Sequence, residues 1–179
     1  VEVLMQIFQK KSSVLCGIDE AIAILKKCTG YYDKQGRWVN GWDKLEVKAL
    51  YDGDRIEPYE TVMTIVGDYS LFAHLETIYL GVLARRTRIA TNTRAVVEAA
   101  WPEPILFFPA RHDHWMVQTG DGWAAHVAGA IGVSTDAQAS WWGSEGSGTV
   151  PHALIAAFGG DTVAATRAFA ETMPEEVRV

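Results

Sequence analysis

The sequence predicts a mixed α/β chain. An N-terminal α+β region gives way, near residues 100–104, to the opening of a β/α barrel or a doubly wound sheet. Three observations predict it. Apart from one helical stretch, residues 1–69 read as short strand-like segments bounded by turn residues. A 3.6-residue apolar periodicity then begins at Leu71. Beyond Pro102 and Pro104, the continuous apolar run Ile105–Phe108 is followed by helix-like and strand-like segments in alternation, the signature of a parallel sheet covered on both faces.

Each element has a local reason. Residues 1–10 alternate loosely, as a strand does. Gly17 opens a helix over about 18–28, with Ile18, Ala21, Ile22 and Leu25 on one face. Asp19 and Glu20 sit at its positive end, Lys26 and Lys27 at its negative end, and Gly30 stops it. Residues 31–44 are aromatic, polar and glycine-containing, and read as an exposed excursion. Leu45, Val47 and Ala49 alternate with charges. Asp52-Gly53-Asp54 and Pro58-Tyr59 are turns, and Thr61–Val66 is a buried strand. Leu71–Arg86 reads as an amphipathic helix through Leu71, Leu75, Ile78, Tyr79, Val82 and Leu83. A second helix is expected from about Thr93 to Trp101. Two βα-like units follow: a helix near 121–128 with a strand near Ala130–Ser134, then a helix near 136–142 with a short strand at Gly148–Val150. Helices at 153–158 and 161–172 come next, the last with Asp161 as N-cap. Pro174 closes that helix, and Val177-Arg178-Val179 stands where a new strand should begin, so the chain is expected to be a piece of a longer protein. The expected domains are 1–102 and 103–179.

Composition bounds the function classes. The 179 residues (19.7 kDa) are 49% hydrophobic and 21% charged, which excludes a disordered or collagen-like chain. A net charge of −6 argues against a nucleic-acid surface spread over the whole protein. No apolar run approaches the ~18 residues that span a bilayer, and the N-terminus lacks a basic leader, so neither a membrane anchor nor a signal peptide is expected. Cys16 and Cys28 have no CxxC partner and are too few for a structural zinc site, so two reduced thiols in a cytoplasmic protein are expected and no metal site is assigned. Seven tryptophans point to core, interface or a site for a flat ligand.

Four constellations could carry chemistry. Arg111-His112-Asp113-His114-Trp115 directly follows the strand Ile105–Phe108, and β/α folds bind ligands at the C-terminal ends of their strands. A guanidinium there can hold a planar carboxylate or a phosphate; the plainer alternative is a polar loop with an internal Asp–His pair. The run from Gly143 to His152 is glycine-rich without a Walker ending, so it is either an anion-facing loop or a connector. Arg85, Arg86 and Arg88, with Arg94 beyond, read as a solvated helix end or as a phosphate or partner-subunit contact. The stretch from Tyr51 to Asp68 is similar to the barrel-sandwich fold of lipoyl and biotinyl carriers, yet no lysine follows Lys48, so only the shape is expected.

Taken in order, GIDEAIAILK, LETIYLGVLARRTRIATNT, FFPARHDH, GDGWAAHVAGAIGVSTDA and GTVPHAL resemble the nicotinate phosphoribosyltransferase family (type II phosphoribosyltransferases). The resemblance implies an N-terminal α+β domain followed by the first part of an irregular β/α barrel. It implies transfer of phosphoribose from phosphoribosyl pyrophosphate to nicotinate, giving nicotinate mononucleotide and pyrophosphate in NAD salvage, with Mg²⁺ and optional ATP. Arg111 aligns with the first arginine of the family's strand-end Arg-Arg motif and would clamp the nicotinate carboxylate. His112 stands where the second arginine would be and would only hydrogen-bond. Thr149 would line the pocket. His152 aligns with the histidine that many relatives autophosphorylate. Arg111 and His152 are expected to converge on one cavity mouth. The family's site forms across a homodimer, to which Arg85 and Arg88 would contribute. The phosphate-binding part of the family's barrel lies beyond Val179, so this stretch alone is expected to be inactive.

Quinolinate phosphoribosyltransferases resemble the chain too, but carry an arginine where Thr77 follows Glu76 here. Leaving the second carboxylate of quinolinate unpaired in a closed site costs about 1–3 kcal/mol, which favours the mono-acid. The rivals are a non-catalytic dimerisation or ligand-binding remnant and an enzyme acting on nicotinamide, whose neutral amide needs no charge partner at Arg111.

Overall fold

The computed structural model describes residues 1–173, so Pro174 and Val177–Val179, on which the expected helix stop and further strand rested, lie outside the described residues. The chain divides into two compact units, Val1–Ser147 and Gly148–Val179. The boundary expected near residue 102 falls inside the first. That unit runs β1 (Glu2–Phe8), β2 (Ser13–Val14), α1 (Ile18–Cys28), β3 (Gly30–Tyr32), β4 (Trp38–Asn40), β5 (Glu46–Ala49), β6 (Arg55–Ile56), β7 (Thr61–Asp68), α2 (Glu76–Ala100), β8 (Leu106–Phe107), α3 (Gln118–Val127), β9 (Gly132–Val133) and α4 (Asp136–Ala139). The second holds α5 (His152–Ala157) and α6 (Thr162–Thr172), where Asp161 caps α6 by accepting from the Ala164 amide. Mixed α/β architecture is thus observed as expected. No helix of the described residues is long and apolar enough to cross a membrane.

The N-terminal sheet is antiparallel in the order β1-β7-β5. Its period-2 alternation turns Val3, Met5 and Ile7 inward with Met63 and Ile65, while Leu4, Gln6 and Phe8 face away. Ile18, Ala21 and Leu25 of α1 pack onto that inner face with Phe72, Leu75, Tyr79 and Leu83. Leu25, Ile65 and Phe72 are fully buried; each such side chain contributes about 1.5–3 kcal/mol. Where residues 31–44 read as an excursion, the chain forms a β3–β4 hairpin that pairs Gly30–Tyr32 with Trp38–Asn40. Its turn is tied by Asp33 Oδ1, which accepts from the Gln35 and Arg37 amides, and Gly36 supplies the positive φ of 75°.

The largest departure from the sequence reading is α2. A helix beginning at Leu71 and another at Thr93 were expected. Instead, residues 69–75 make two tight 3₁₀ turns, and one helix of 25 residues runs from Glu76 to Ala100, about 37 Å long. The threonine-rich stretch that reads as a break is stitched to the backbone of β2 and the residues after it. Thr87 Oγ1 accepts from the Cys16 amide and donates to the Cys16 carbonyl, and Thr91 Oγ1 accepts from the Val14 amide. Tertiary bonding thereby overrides the weak helix propensity of threonine. A second core lies beside this seam, where the small residues Ala90, Ala124 and Ala128 let α2 and α3 approach closely around Val14 and Cys16.

β8 and β9 pair in parallel, Leu106 with Gly132 and Phe107 with Val133. The run Ile105–Phe108 is not buried on both faces as its apolar character suggested, since Leu106 is 48% exposed. Gly148–Val150 forms no strand among the described residues.

Candidate active site

The parallel pair places two chain segments side by side at its C-terminal end. After β8 the chain turns at Pro109–His112, the His112 amide donating to the Pro109 carbonyl at 2.8 Å. After β9, Thr135 caps α4, its Oγ1 accepting from the Gln138 amide. Gln138 is fully buried and its Oε1 accepts from the amide and hydroxyl of Ser134 at 3.0 and 2.8 Å. Gln118, the first residue of α3, ties the two segments together. Its Nε2 donates to the Ala110 carbonyl at 3.3 Å, and its Oε1 accepts from Thr135 Oγ1 at 2.7 Å. Gly146 and Ser147 lie against the same end: the Ser147 amide donates to the Val133 carbonyl and the Gly146 amide to Asp136 Oδ1. A Cβ at Gly146 would lie 2.4 Å from the Thr135 backbone, so only glycine permits that approach.

Arg111 sits on the β8 turn, exposed, with no hydrogen-bond or ion-pair partner among the described residues. His112 beside it is exposed as well. The internal Asp–His pair does not form: Asp113 Oδ2 meets Arg85 Nη2 at 3.0 Å, and His114 Nδ1 accepts from the Met116 amide while its ring stacks on Trp115. Thr149 and His152 belong to the second unit, where both are exposed and His152 begins α5. Their convergence with Arg111 therefore stays a proposal.

Arg85 and Arg86 turn inward and share Asp121, which is 1% exposed. Arg85 donates through Nε and Nη2 at 3.0 and 2.7 Å, Arg86 through Nη1 at 2.7 Å. Arg86 also donates to Glu20 on α1 at 2.8 Å. Hydrogen bonding to Asp121, supported by Asp113, holds the Arg85 guanidinium charged well above its already high ordinary range. Arg88 points outward, and Arg94 is half-buried with its Nε unpartnered among the described residues. Asp121 and Gln118 escaped the sequence reading. Their signal was Gly120-Asp121-Gly122, which looks like a turn but lies inside α3. A Cβ on Gly120 would sit 2.1 Å from the Arg86 guanidinium, and one on Gly122 2.2 Å from the Gln138 carbonyl.

No three His, Cys, Asp or Glu side chains gather as metal ligands among the described residues. A concavity of about 630 Å³ lies elsewhere, at the sheet edge between Tyr31, Lys44 and Asp68, and contains none of the expected site residues.

These features, an α+β domain, a long connecting helix and the first strands of a parallel β/α unit, are those of the type II phosphoribosyltransferase fold. Residues 1–87 match the family described as quinolinate phosphoribosyl transferase, N-terminal domain. The nicotinate-nucleotide pyrophosphorylase of Pyrococcus furiosus superposes with a TM-score of 0.79 at 32% identity, over 95% of this chain and 41% of that one. Human nicotinic acid phosphoribosyltransferase shares the fold, with a TM-score of 0.70 at 16% identity over 90% of this chain and 37% of its own. Two nicotinate phosphoribosyltransferases of Mycobacterium tuberculosis are 29% and 27% identical over 126 and 158 residues, 69% and 87% of this chain. The chain is thus a relative of the nicotinate and quinolinate phosphoribosyltransferases, as its motifs implied. It spans 28–34% of the length of the curated relatives.

Proposed function

We propose that the protein carrying this chain transfers phosphoribose from phosphoribosyl pyrophosphate to nicotinate, releasing pyrophosphate and forming nicotinate mononucleotide. The carrying observation is Arg111: an exposed guanidinium with no counter-ion among the described residues, on the turn that leaves the first parallel strand. A planar carboxylate meets a guanidinium through two parallel N–H···O bonds, which fixes the pyridine ring as well as holding it. With the ring held, its nitrogen is presented to the ribosyl carbon, which passes through a cation-like transition state as pyrophosphate departs. His112 adds a hydrogen bond, Thr149 lines the pocket, and Arg88 meets phosphate or a partner subunit in a homodimer. His152 takes up phosphate from ATP where the reaction is coupled to it.

The test is steady-state kinetics of the full-length enzyme. Arg111→Ala should raise KM for nicotinate at least 30-fold, about 2 kcal/mol at 1.4 kcal/mol per tenfold. An unchanged KM would remove Arg111 from the carboxylate role. His152→Ala should abolish stimulation by ATP.

A second reading, quinolinate as substrate, draws on the family match of residues 1–87. Against it stands Thr77, exposed on α2 where quinolinate enzymes carry the second carboxylate's arginine. Direct comparison of the two acids as substrates separates the readings, since quinolinate turnover releases CO₂ and nicotinate turnover does not.

A further inference from the structure

We propose that Arg85 and Asp113 form a clamp that positions Arg111, with Arg85 acting through Asp113 and never touching substrate. The inference rests on Arg111 as the nicotinate contact. The turn carrying Arg111 has two anchors outside itself. On the N-terminal side, Gln118 Nε2 holds the Ala110 carbonyl at 3.3 Å. On the C-terminal side, Arg85 Nη2 holds Asp113 Oδ2 at 3.0 Å. Arg111 lies between them in sequence, so removing either leaves the turn tied on one side.

Arg85 is a rigid post because it is held from behind. Its Nε and Nη2 meet Asp121, which is buried and shared with Arg86, and Arg86 is fixed in turn by Glu20. Five side chains of alternating charge therefore run from α1 through α2 and α3 to the turn. A lysine at 85 would lose the two-point hold on Asp121, which Arg85 makes through Nε and Nη2 and a single ammonium cannot reproduce with the same planar geometry. The clamp also has an electrostatic consequence. Asp113 is two residues from Arg111, and an unpaired carboxylate there would weaken attraction for an anionic substrate. Its pairing with Arg85 leaves Arg111 without an ion-pair partner among the described residues.

The experiment measures KM for nicotinate and for phosphoribosyl pyrophosphate in the full-length enzyme. The variants are Asp113→Asn, Arg85→Lys, Asp113→Glu, Arg111→Ala and the double variant Asp113→Asn/Arg111→Ala. The clamp predicts that Asp113→Asn and Arg85→Lys each raise KM for nicotinate roughly fivefold, about 1 kcal/mol. KM for phosphoribosyl pyrophosphate should move less than twofold, and Asp113→Glu should recover most of the loss. In the Arg111→Ala background, Asp113→Asn should add less than twofold, because nothing is left to position. Independent multiplication of the two effects would overturn the clamp, as would a proportional change in both KM values. An unchanged nicotinate KM in Asp113→Asn, with a large rise in Arg111→Ala, overturns the clamp alone. No rise in Arg111→Ala overturns the carboxylate assignment and the clamp together.

Discussion

Asp121→Asn is the sharpest test of how the first unit is held together. The substitution keeps the shape of the side chain and removes one charge from between two guanidiniums. Asp121 accepts from Arg85 Nε and Nη2 and from Arg86 Nη1, all between 2.7 and 3.2 Å. An asparagine can accept at one oxygen, but its amide nitrogen would point donor hydrogens at a second donor. Breaking a buried pair costs about 3–5 kcal/mol when a charge is left uncompensated. Here each guanidinium keeps one carboxylate, Glu20 for Arg86 and Asp113 for Arg85, so the lower end applies, about 3 kcal/mol. With a urea m-value of about 2 kcal/mol per molar, the unfolding midpoint should fall by about 1.5 M. Asp113→Asn should lower it far less, because that carboxylate is 44% exposed and an exposed pair contributes about 1 kcal/mol or below. Equal midpoint losses for the two variants would refute the reasoning, since burial would then have no bearing on the pairing.

Two further predictions follow from the same helices and the seam they enclose. Gly→Ala inside a helix ordinarily stabilises by about 0.5–1 kcal/mol, but Gly120→Ala and Gly122→Ala should each lower the thermal midpoint. At 120 the new Cβ displaces the Arg86 guanidinium, and at 122 it meets the Gln138 backbone, so Gly122→Ala should be the worse of the two; a gain in midpoint for either would show that the close packing is absent. Stability should also fall at alkaline pH. Burial, with Asp52 nearby, pushes the Cys16 thiol well above its ordinary range, so the folded protein holds that proton more tightly than the unfolded one. The contribution is whole below about pH 8.5 and declines above it by up to ~1.4 kcal/mol per pH unit. Tyr79, pushed up to about 12 by burial, adds the same sign from about pH 10. Urea midpoints at pH 8, 9 and 10 should fall in the wild type and fall less between pH 8 and 10 in Cys16→Ala; parallel curves would dismiss the thiol.

Most of the N-terminal fold was legible because its signals are local. Gly17, the charge bias of α1 and the alternation of β1, β5 and β7 each act within a few residues, and each element formed where expected. The misreadings around α2 and Asp52 have non-local causes. Thr87 and Thr91 look like the end of a helix until Val14 and Cys16 take up their hydroxyls. Asp52 reads as a turn residue, but its Oδ1 also accepts from the Ile18 amide at the start of α1 and its Oδ2 from the Trp123 indole. Position after a strand singles out Arg111 in the sequence, and the structure places it, exposed, on the turn after β8. Position was not enough to separate the arginines of α2, where residues 85, 86 and 88 look alike in sequence. Helical rotation sends the first two toward Asp121 and the third to solvent.

That sorting of cations bears on substrate choice. Arg37, Arg55, Arg85 and Arg86 all have carboxylate partners within the chain. At the segment that follows β8, Arg85 is engaged in the scaffold, whereas Arg111 has no carboxylate partner among the described residues. A pyridine with a single carboxylate needs one such group, whereas a dicarboxylate needs a second, and Thr77 offers only a hydroxyl. Thr77→Arg would supply a second cation on the exposed side of α2. If the proposed preference for the mono-acid arises from this missing charge, that variant should bind quinolinate roughly 5–140-fold more tightly in the full-length enzyme, corresponding to the ~1–3 kcal/mol cost of an unpaired buried carboxylate. Its KM for nicotinate should stay within about threefold, since Arg111 is untouched. A Thr77→Arg enzyme whose quinolinate binding does not improve would mean that selectivity is set by pocket shape and that counting charges at the strand ends explains none of it.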